Sequence, residues 1–197
     1  FILGKTFINK DNIALILGDN FFYGQSLTKK LEKSTSHKSG ATIFLKEVSS
    51  PENYGVAKIK KKKIEKIVEK PKKFISNNAV IGLYIFDDKF KEHFKNTKVS
   101  RRDEFEIIDI IKNYKLENVQ HREIGRGTAW FDMGTTESFY NSSSFVRTIQ
   151  ERQGLLVCSP HEIAFRNNWI DEVSLVNYIK SIEGSEYSEN LASIINQ

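Results

Sequence analysis

The feature that most constrains this chain is the apolar run Ile13–Gly18 (IALILG), which stops abruptly in the polar pair Asp19-Asn20. The run reads as a buried central strand followed by a polar loop. An apolar strand ending in Gly-Asp-Asn sends its acid out of the carboxyl edge of a sheet, where open α/β folds bind their ligands. A second acid, Asp132, stands in Gly125–Thr135 (GRGTAWFDMGT), which reads as a tight turn after a strand at 119–124. Two acids brought to one sheet edge from distant segments can share a hard cation. Mg²⁺ prefers oxygen ligands, keeps several waters, and is typically held by one or two carboxylates together with substrate phosphates. The alternative is structural: Asp19 caps the following helix and Asp132 fixes a turn.

A series of short motifs surrounds these acids in order. They are Leu17-Gly-Asp-Asn20 with Phe22-Tyr-Gly24, then Tyr54-Gly-Val56, Val68-Glu-Lys-Pro71, and Arg102 before Glu104-Phe-Glu106 and Asp109. Gly125-Arg-Gly127 with Trp130-Phe-Asp132 and Gly134-Thr135 closes the series. Taken together they resemble the sugar nucleotidyltransferases of the glucose-1-phosphate thymidylyltransferase type, from Phe1 to about the last ten residues. The resemblance implies an α/β fold: a Rossmann-like mixed sheet flanked by helices, with a helical tail. It also implies transfer of a thymidylyl group from dTTP to glucose 1-phosphate, giving dTDP-glucose and pyrophosphate, as in dTDP-rhamnose and lipopolysaccharide synthesis.

Residue by residue, the resemblance assigns Mg²⁺ to Asp19 and Asp132, and the sugar phosphate to Lys70 and Arg102. Leu17, Tyr54, Gly55, Glu69, Val80, Tyr84 and Trp130 would shape the sugar pocket. Members are typically homotetramers with a second nucleotide-sugar site, to which Tyr23, Gly24, Arg126, Glu162, Ile163 and Arg166 correspond and where dTDP-rhamnose would act as a feedback ligand. The family's opening βα units, with a Gly-rich loop and a catalytic arginine, have no match before Ile13, so the chain is expected to be N-terminally truncated. A non-catalytic nucleotide-sugar-binding or assembly module, or a nucleotidyltransferase of other base specificity, remains open at this point. One departure stands out, because Asp103 occupies a family glycine and adds a carboxylate beside the expected phosphate site of Arg102.

The 197 residues suffice for one cored domain, expected to divide into a sugar-phosphate and metal part over 1–154 and a helical segment over 155–197. The formal charge of +5 comes mostly from lysine, densest in the run KIKKKKI at 58–64. Val56, Ile59, Ile64 and Ile67 flank those lysines as two short strands, so the run reads as a hairpin with a solvated tip. Arginines and stacking aromatics are absent from it, which argues against nucleic acid. The lone Cys158 cannot form an internal disulfide, and four scattered histidines lack metal-ligand spacing. No apolar run approaches the roughly 18–20 residues of a membrane span. A soluble cytoplasmic protein without a membrane partner is the expectation.

The remaining elements follow from periodicity. The stretch from Phe1 to Ile8 reads as the end of a helix, 25–36 as a surface helix, 41–48 as a strand, and 78–86 as a long strand whose Gly82 marks a bulge or a close contact. Glu69 and Lys70 can serve one site only if the chain bends between strand and Pro71. Helices are expected over 87–94 and 104–116, the latter with Arg102 at its entry. A long helix from Thr135 to about Gln153 should carry an apolar face of Phe139, Phe145, Val146 and Ile149, with two short helices beyond Trp169.

Overall fold

The computed structural model describes residues 5–35, 39–100, 103 and 105–195. Two compact units divide it, Phe1–Gly134 and Thr135–Gln197. The first is built on a mixed sheet flanked by helices, and the described residues of the second form helices alone.

In the first unit the chain runs from a short helix α1 (Lys5–Ile8) through strands β1 (Ile13–Ile16) and β2 (Asn20–Gly24) into helix α2 (Leu27–Thr35) and strand β3 (Ala41–Glu47). A hairpin of β4 (Gly55–Lys60) and β5 (Lys63–Glu69) follows, then the long β6 (Asn78–Phe86). Helices α3 (Phe90–Lys95) and α4 (Ile107–Asn113) lead to β7 (Val119–Glu123) and β8 (Thr128–Asp132). The main sheet has the order β5-β4-β6-β3-β7, with β1 also paired to β6, and a separate two-stranded ribbon joins β2 to β8. All pairings are antiparallel except β3 with β7.

Strand β6 is the spine of this unit, and its nine residues are buried in all but the first position. Along one edge it carries β3; the other edge is shared by β4 near its start and β1 near its end. Its apolar run on both faces is what a strand covered on two sides requires. One face packs Val80, Tyr84 and Phe86 against Ile108, Ile110 and Ile111 of α4. The other packs Ile81, Leu83 and Ile85 with Phe44 and Ile124. The register against β3 shifts between Ile43, opposite Tyr84, and Phe44, opposite Ile81, so Gly82 and Leu83 bulge from the ladder. The expected anomaly at Gly82 is thus a bulge.

Three expectations change. Within Ile13–Gly18 only the four residues Ile13–Ile16 form a strand, half-buried and paired to β6 alone among the described strands, rather than a central one. Asn20 does not continue a loop: it opens β2, because Phe21, Phe22 and Tyr23 suit a pleated surface and find partners in β8. The segment read as a tight turn around Asp132 is likewise strand β8, with Phe21 and Phe131 directly opposite and their ring centroids 6.0 Å apart. Gly125–Gly127 alone makes the turn into it, closed by a hydrogen bond from Thr128 N to Gly125 O.

The hairpin tip is solvated as expected. Lys61 and Lys62 occupy it with φ of 49° and 61°, the left-handed pair of a type I′ turn made without glycine or asparagine.

The second unit begins with helix α5 (Thr136–Gln153) and continues through α6 (Pro160–Arg166), α7 (Glu172–Ser181) and α8 (Glu186–Ile195). Thr135 caps α5 in a reciprocal box with Ser138, and Gly154 ends it in the left-handed conformation. The core of this unit is Leu175, Leu191 and Ile194, flanked by Phe165, Ile170 and Tyr187. The apolar face expected on α5 is not buried as a stripe: Phe139 is 59% exposed, and Ser142 is the helix's one buried residue. The two helices expected beyond Trp169 are α7 and α8, and the segment before Trp169 adds α6.

Candidate functional site

The site starts from backbone connections that bring β1, β2 and β8 to one corner. Beyond the end of β1, Leu17 N still donates to Gly82 O at 2.9 Å, and Asn20 N then donates to Leu17 O at 3.0 Å, turning the chain sharply. β2 leaves that turn antiparallel to β8 with Asn20 opposite Asp132, and the ladder gains one further bond from Met133 N to Asp19 O at 2.7 Å. Asp19 and Asp132, 113 positions apart in sequence, are therefore held on adjacent backbone segments. A methyl group placed on Gly134 would lie 3.4 Å from Asp132 Oδ1 and 3.9 Å from Asp19 Oδ2, so both carboxylates face one small region. Gly134 leaves that region open.

The electrostatics follow from this crowding. Burial pushes the Asp132 carboxyl above the usual carboxylate range, and the Asp19 carboxylate beside it adds to the shift. A hydrogen bond from the Gly134 backbone and the nearby Lys70 ammonium act in the opposite direction. Two acids that repel one another when ionised form a poor resting pair and a good cation clamp, since a divalent ion converts their repulsion into shared attraction. The donor set fits Mg²⁺, which takes one or two carboxylates and fills its remaining positions with water and phosphate oxygens. Among the described residues no cluster of three or more metal-ligating side chains exists that would suit a closed protein cage.

The acids open onto a cleft of about 290 Å³. Its lining includes Leu17, Asp19, Tyr54, Gly55, Glu69, Lys70, Val80, Tyr84, Trp130 and Asp132. Each arrives for a local reason. Gly55 opens β4 between Glu69 on one side and Val80 on the other. A Cβ there would stand 2.9 Å from Ile108 Cδ1 and 3.1 Å from Glu69 Oε2, so glycine is required by close packing. Lys70 adopts a positive φ of 40° and donates its backbone N–H to Tyr54 O at 3.0 Å. That bend lets Glu69 and Lys70, consecutive in sequence, line the same cleft. The Tyr54 ring leans on Trp130 with centroids 5.0 Å apart, and burial together with Asp132 raises its hydroxyl above the usual phenol range. Tyr84 is raised further by burial, with Glu69 as a second cause.

Arg102 lies outside the described residues. Asp103, its neighbour, has a φ of 60°. Of the residues matched to a second site, Tyr23 and Gly24 end β2, and Arg126 lines a separate groove beside Glu123 and Ile124 in the first unit. Glu162, Ile163 and Arg166 belong to α6 of the second unit, where Arg166 Nε donates to Glu162 Oε1 at 2.8 Å.

Further residues line the cleft without having a role assigned from sequence: Asn20, Asn53, Phe105, Glu106 and Ile108. Asn20, Phe105 and Glu106 lie within the ordered motifs, so a signal exists for them. Ile108 is a core residue of α4, and nothing local to the sequence indicates that this buried face also forms a cleft wall.

Comparison with known proteins decides the lineage. The nucleotidyl transferase family matches residues 1–149. The chain belongs to that family. It is 38% identical over 197 residues to a glucose-1-phosphate thymidylyltransferase of Neisseria meningitidis, covering 99% of this chain and 68% of that protein. A protein of the same name from Xanthomonas campestris is 40% identical over 196 residues, covering 98% of this chain and 66% of its own length. The chain thus spans about two thirds of these relatives. A solved candidate glucose-1-phosphate thymidylyltransferase from Bacillus anthracis, in complex with sucrose, superposes with a TM-score of 0.65 at 37% identity over 74% of this chain and 58% of that one. UDP-glucose pyrophosphorylase, at 22% identity and a TM-score of 0.61, shares the fold. This nucleotidyltransferase shows no helix long and apolar enough to cross a membrane among its described residues.

Proposed function

We propose that the intact protein transfers a thymidylyl group from dTTP to glucose 1-phosphate, with Mg²⁺ held by Asp19 and Asp132. One observation carries this reading: the two carboxyls meet beside Lys70 at a cleft lined by Tyr54, Gly55, Glu69 and Trp130. An oxygen of the sugar phosphate forms a bond to the α-phosphorus of the nucleotide as the bond to the β-phosphate oxygen breaks and pyrophosphate leaves. Such a displacement asks of the protein alignment and charge neutralisation rather than covalent participation. Mg²⁺ bound at the acid pair would offset the negative charge gathering on the phosphates.

The chain's own residues supply the rest. The Lys70 ammonium, close enough to Asp132 to influence it, would hold the sugar's phosphate beside the acid pair. Glu69 accepts hydrogen bonds from sugar hydroxyls, while Tyr54, Val80 and Trp130 form apolar walls that exclude water from the reacting phosphates. Gly55 lets the sugar approach the backbone of β4.

The test is pyrophosphate release by the intact protein with glucose 1-phosphate and dTTP, UTP or ATP in parallel. The reading expects dTTP to be the preferred nucleotide. It also expects Asp132→Asn to lower kcat by about 100-fold or more while the KM for sugar phosphate changes little, because the lost interaction matters mainly in the transition state. Unchanged turnover in Asp132→Asn would remove the metal assignment, and a preference for UTP or ATP would change the substrate.

A further inference from the structure

Asn20 stands at the junction of the acid pair and the aromatic wall. Its Nδ2 donates to Asp19 Oδ1 at 2.8 Å, and its Oδ1 accepts from Trp130 Nε1 at 2.7 Å and from Gly82 N at 3.3 Å. The amide orientation is fixed by this environment: two N–H donors face its oxygen and a carboxylate faces its nitrogen, so a flipped amide would oppose like to like at all three contacts. Space restricts it as well. A Cβ on Gly82 would fall 2.6 Å from Asn20 Cγ, 2.7 Å from Nδ2 and 2.8 Å from Oδ1. The bulge in β6 and the absent side chain at Gly82 are what admit the asparagine.

We propose that Asn20 is a positioning residue that selects which oxygen of Asp19 joins Asp132 and at the same time locks the indole of the sugar-pocket wall. The bond to Nδ2 engages Oδ1 of Asp19, leaving Oδ2 as the oxygen turned toward the region it shares with Asp132 Oδ1 near Gly134. Without the amide, the Asp19 carboxylate is free to rotate about its χ2 torsion, which is broad for a terminal sp² group. The second bond holds Trp130, against which Tyr54 leans. One side chain therefore couples the geometry of the cation clamp to that of the sugar wall. Groups that orient a ligating carboxylate commonly account for about 10–100-fold in metal affinity when removed.

This inference rests on Asp19 and Asp132 holding a metal, and the test separates the two ideas. Tb³⁺ is the probe, titrated into the intact protein carrying Trp169→Phe, so that Trp130 is the indole among these residues that sensitises its luminescence. Calorimetry gives the affinity independently. Asn20→Ala is expected to weaken Tb³⁺ by about 10-fold or more and to broaden the response of Trp130, measured well below the unfolding temperature. Gly82→Ala, whose methyl displaces the Asn20 amide without replacing a ligand, is expected to weaken Tb³⁺ in the same direction and answers the question if Asn20→Ala does not fold. A purely structural asparagine would lower Tm and leave the affinity of the folded protein unchanged. Tb³⁺ affinity within about three-fold of the parent in the folded variant overturns the proposal, given the effect expected of an orienting group. Asp132→Asn is the control: if it loses Tb³⁺ while Asn20→Ala does not, only the role of Asn20 fails. If Asp132→Asn binds Tb³⁺ undiminished, the metal reading fails and the role of Asn20 with it.

Discussion

Gly55→Ala tests the sugar side of the cleft without altering a charge. The added methyl would meet Ile108 Cδ1 at 2.9 Å, Ile108 Cγ1 at 3.1 Å and Glu69 Oε2 at 3.1 Å. Carbon atoms settle at about 3.5–4.0 Å, so Ile108 would have to retreat by roughly 0.6 Å or more. That retreat is obstructed, because Ile108 is 3% exposed and packs within the main core cluster. Glu69, at the end of β5, is the neighbour better able to move. Overpacking of this kind costs about 1–3 kcal/mol, which for a chain of this size corresponds to a fall in Tm of roughly 2–12 °C. If the displaced Glu69 carboxylate holds sugar hydroxyls, the KM for glucose 1-phosphate should rise by about 10-fold, equivalent to about 1.4 kcal/mol, with kcat changed far less. Thermal melting and initial-rate kinetics of pyrophosphate release measure both. A lowered Tm with an unchanged KM for sugar phosphate would refute the placement of Glu69 and Gly55 in the sugar pocket.

Two further outcomes follow from the same geometry. Because the Asp132 carboxyl is raised in the folded protein, the native state binds its proton more tightly than the unfolded chain; that contribution is present below the ordinary aspartate range and lost as pH rises through the raised value. Asp132→Asn should therefore gain Tm relative to the parent as pH rises through that window in the presence of a chelator, even as it loses activity. Melting curves at stepped pH would show this, and a parallel pH dependence in both proteins would contradict it. At the hairpin tip, Lys61→Asn with Lys62→Gly replaces two left-handed lysines by the residues a type I′ turn favours. Relief of about 1–2 kcal/mol should raise Tm by a few degrees with kcat and KM unchanged, and a lowered Tm would show that the tip's geometry is held for another reason.

The parts legible in the sequence are those whose signal is local. The long strand 78–86, the lysine-tipped hairpin and the capped helix from Thr135 each announce themselves through composition or punctuation within a few residues. The convergence of Asp19, Tyr54, Glu69, Lys70 and Asp132 on one cleft was expected through ordered motifs, since spacing alone does not bring together residues 113 positions apart. The parts not legible in the sequence depend on non-local pairing. β2 and β8 are five residues each and, among the described strands, pair only with one another, so each alone resembles a loop or a turn bounded by glycine. β1 has the composition of a central strand but is half-buried, and composition does not report the number of neighbours. Periodicity placed Phe139 on an apolar face of α5, yet burial is settled by what packs against a helix. Asn20 was missed as a functional group because its meaning lies in three contacts, to Asp19, Gly82 and Trp130, two of them made across the fold.

Catalysis at this cleft requires one divalent ion to bridge the two aspartates. Crystals of the intact protein grown with Mn²⁺ and a nucleotide sugar, measured at the manganese absorption edge, locate the ion directly. A single anomalous peak within about 2–2.5 Å of an oxygen from Asp19 and an oxygen from Asp132 is the predicted result. A fully occupied peak bound to only one of them, or lying away from both, would contradict it.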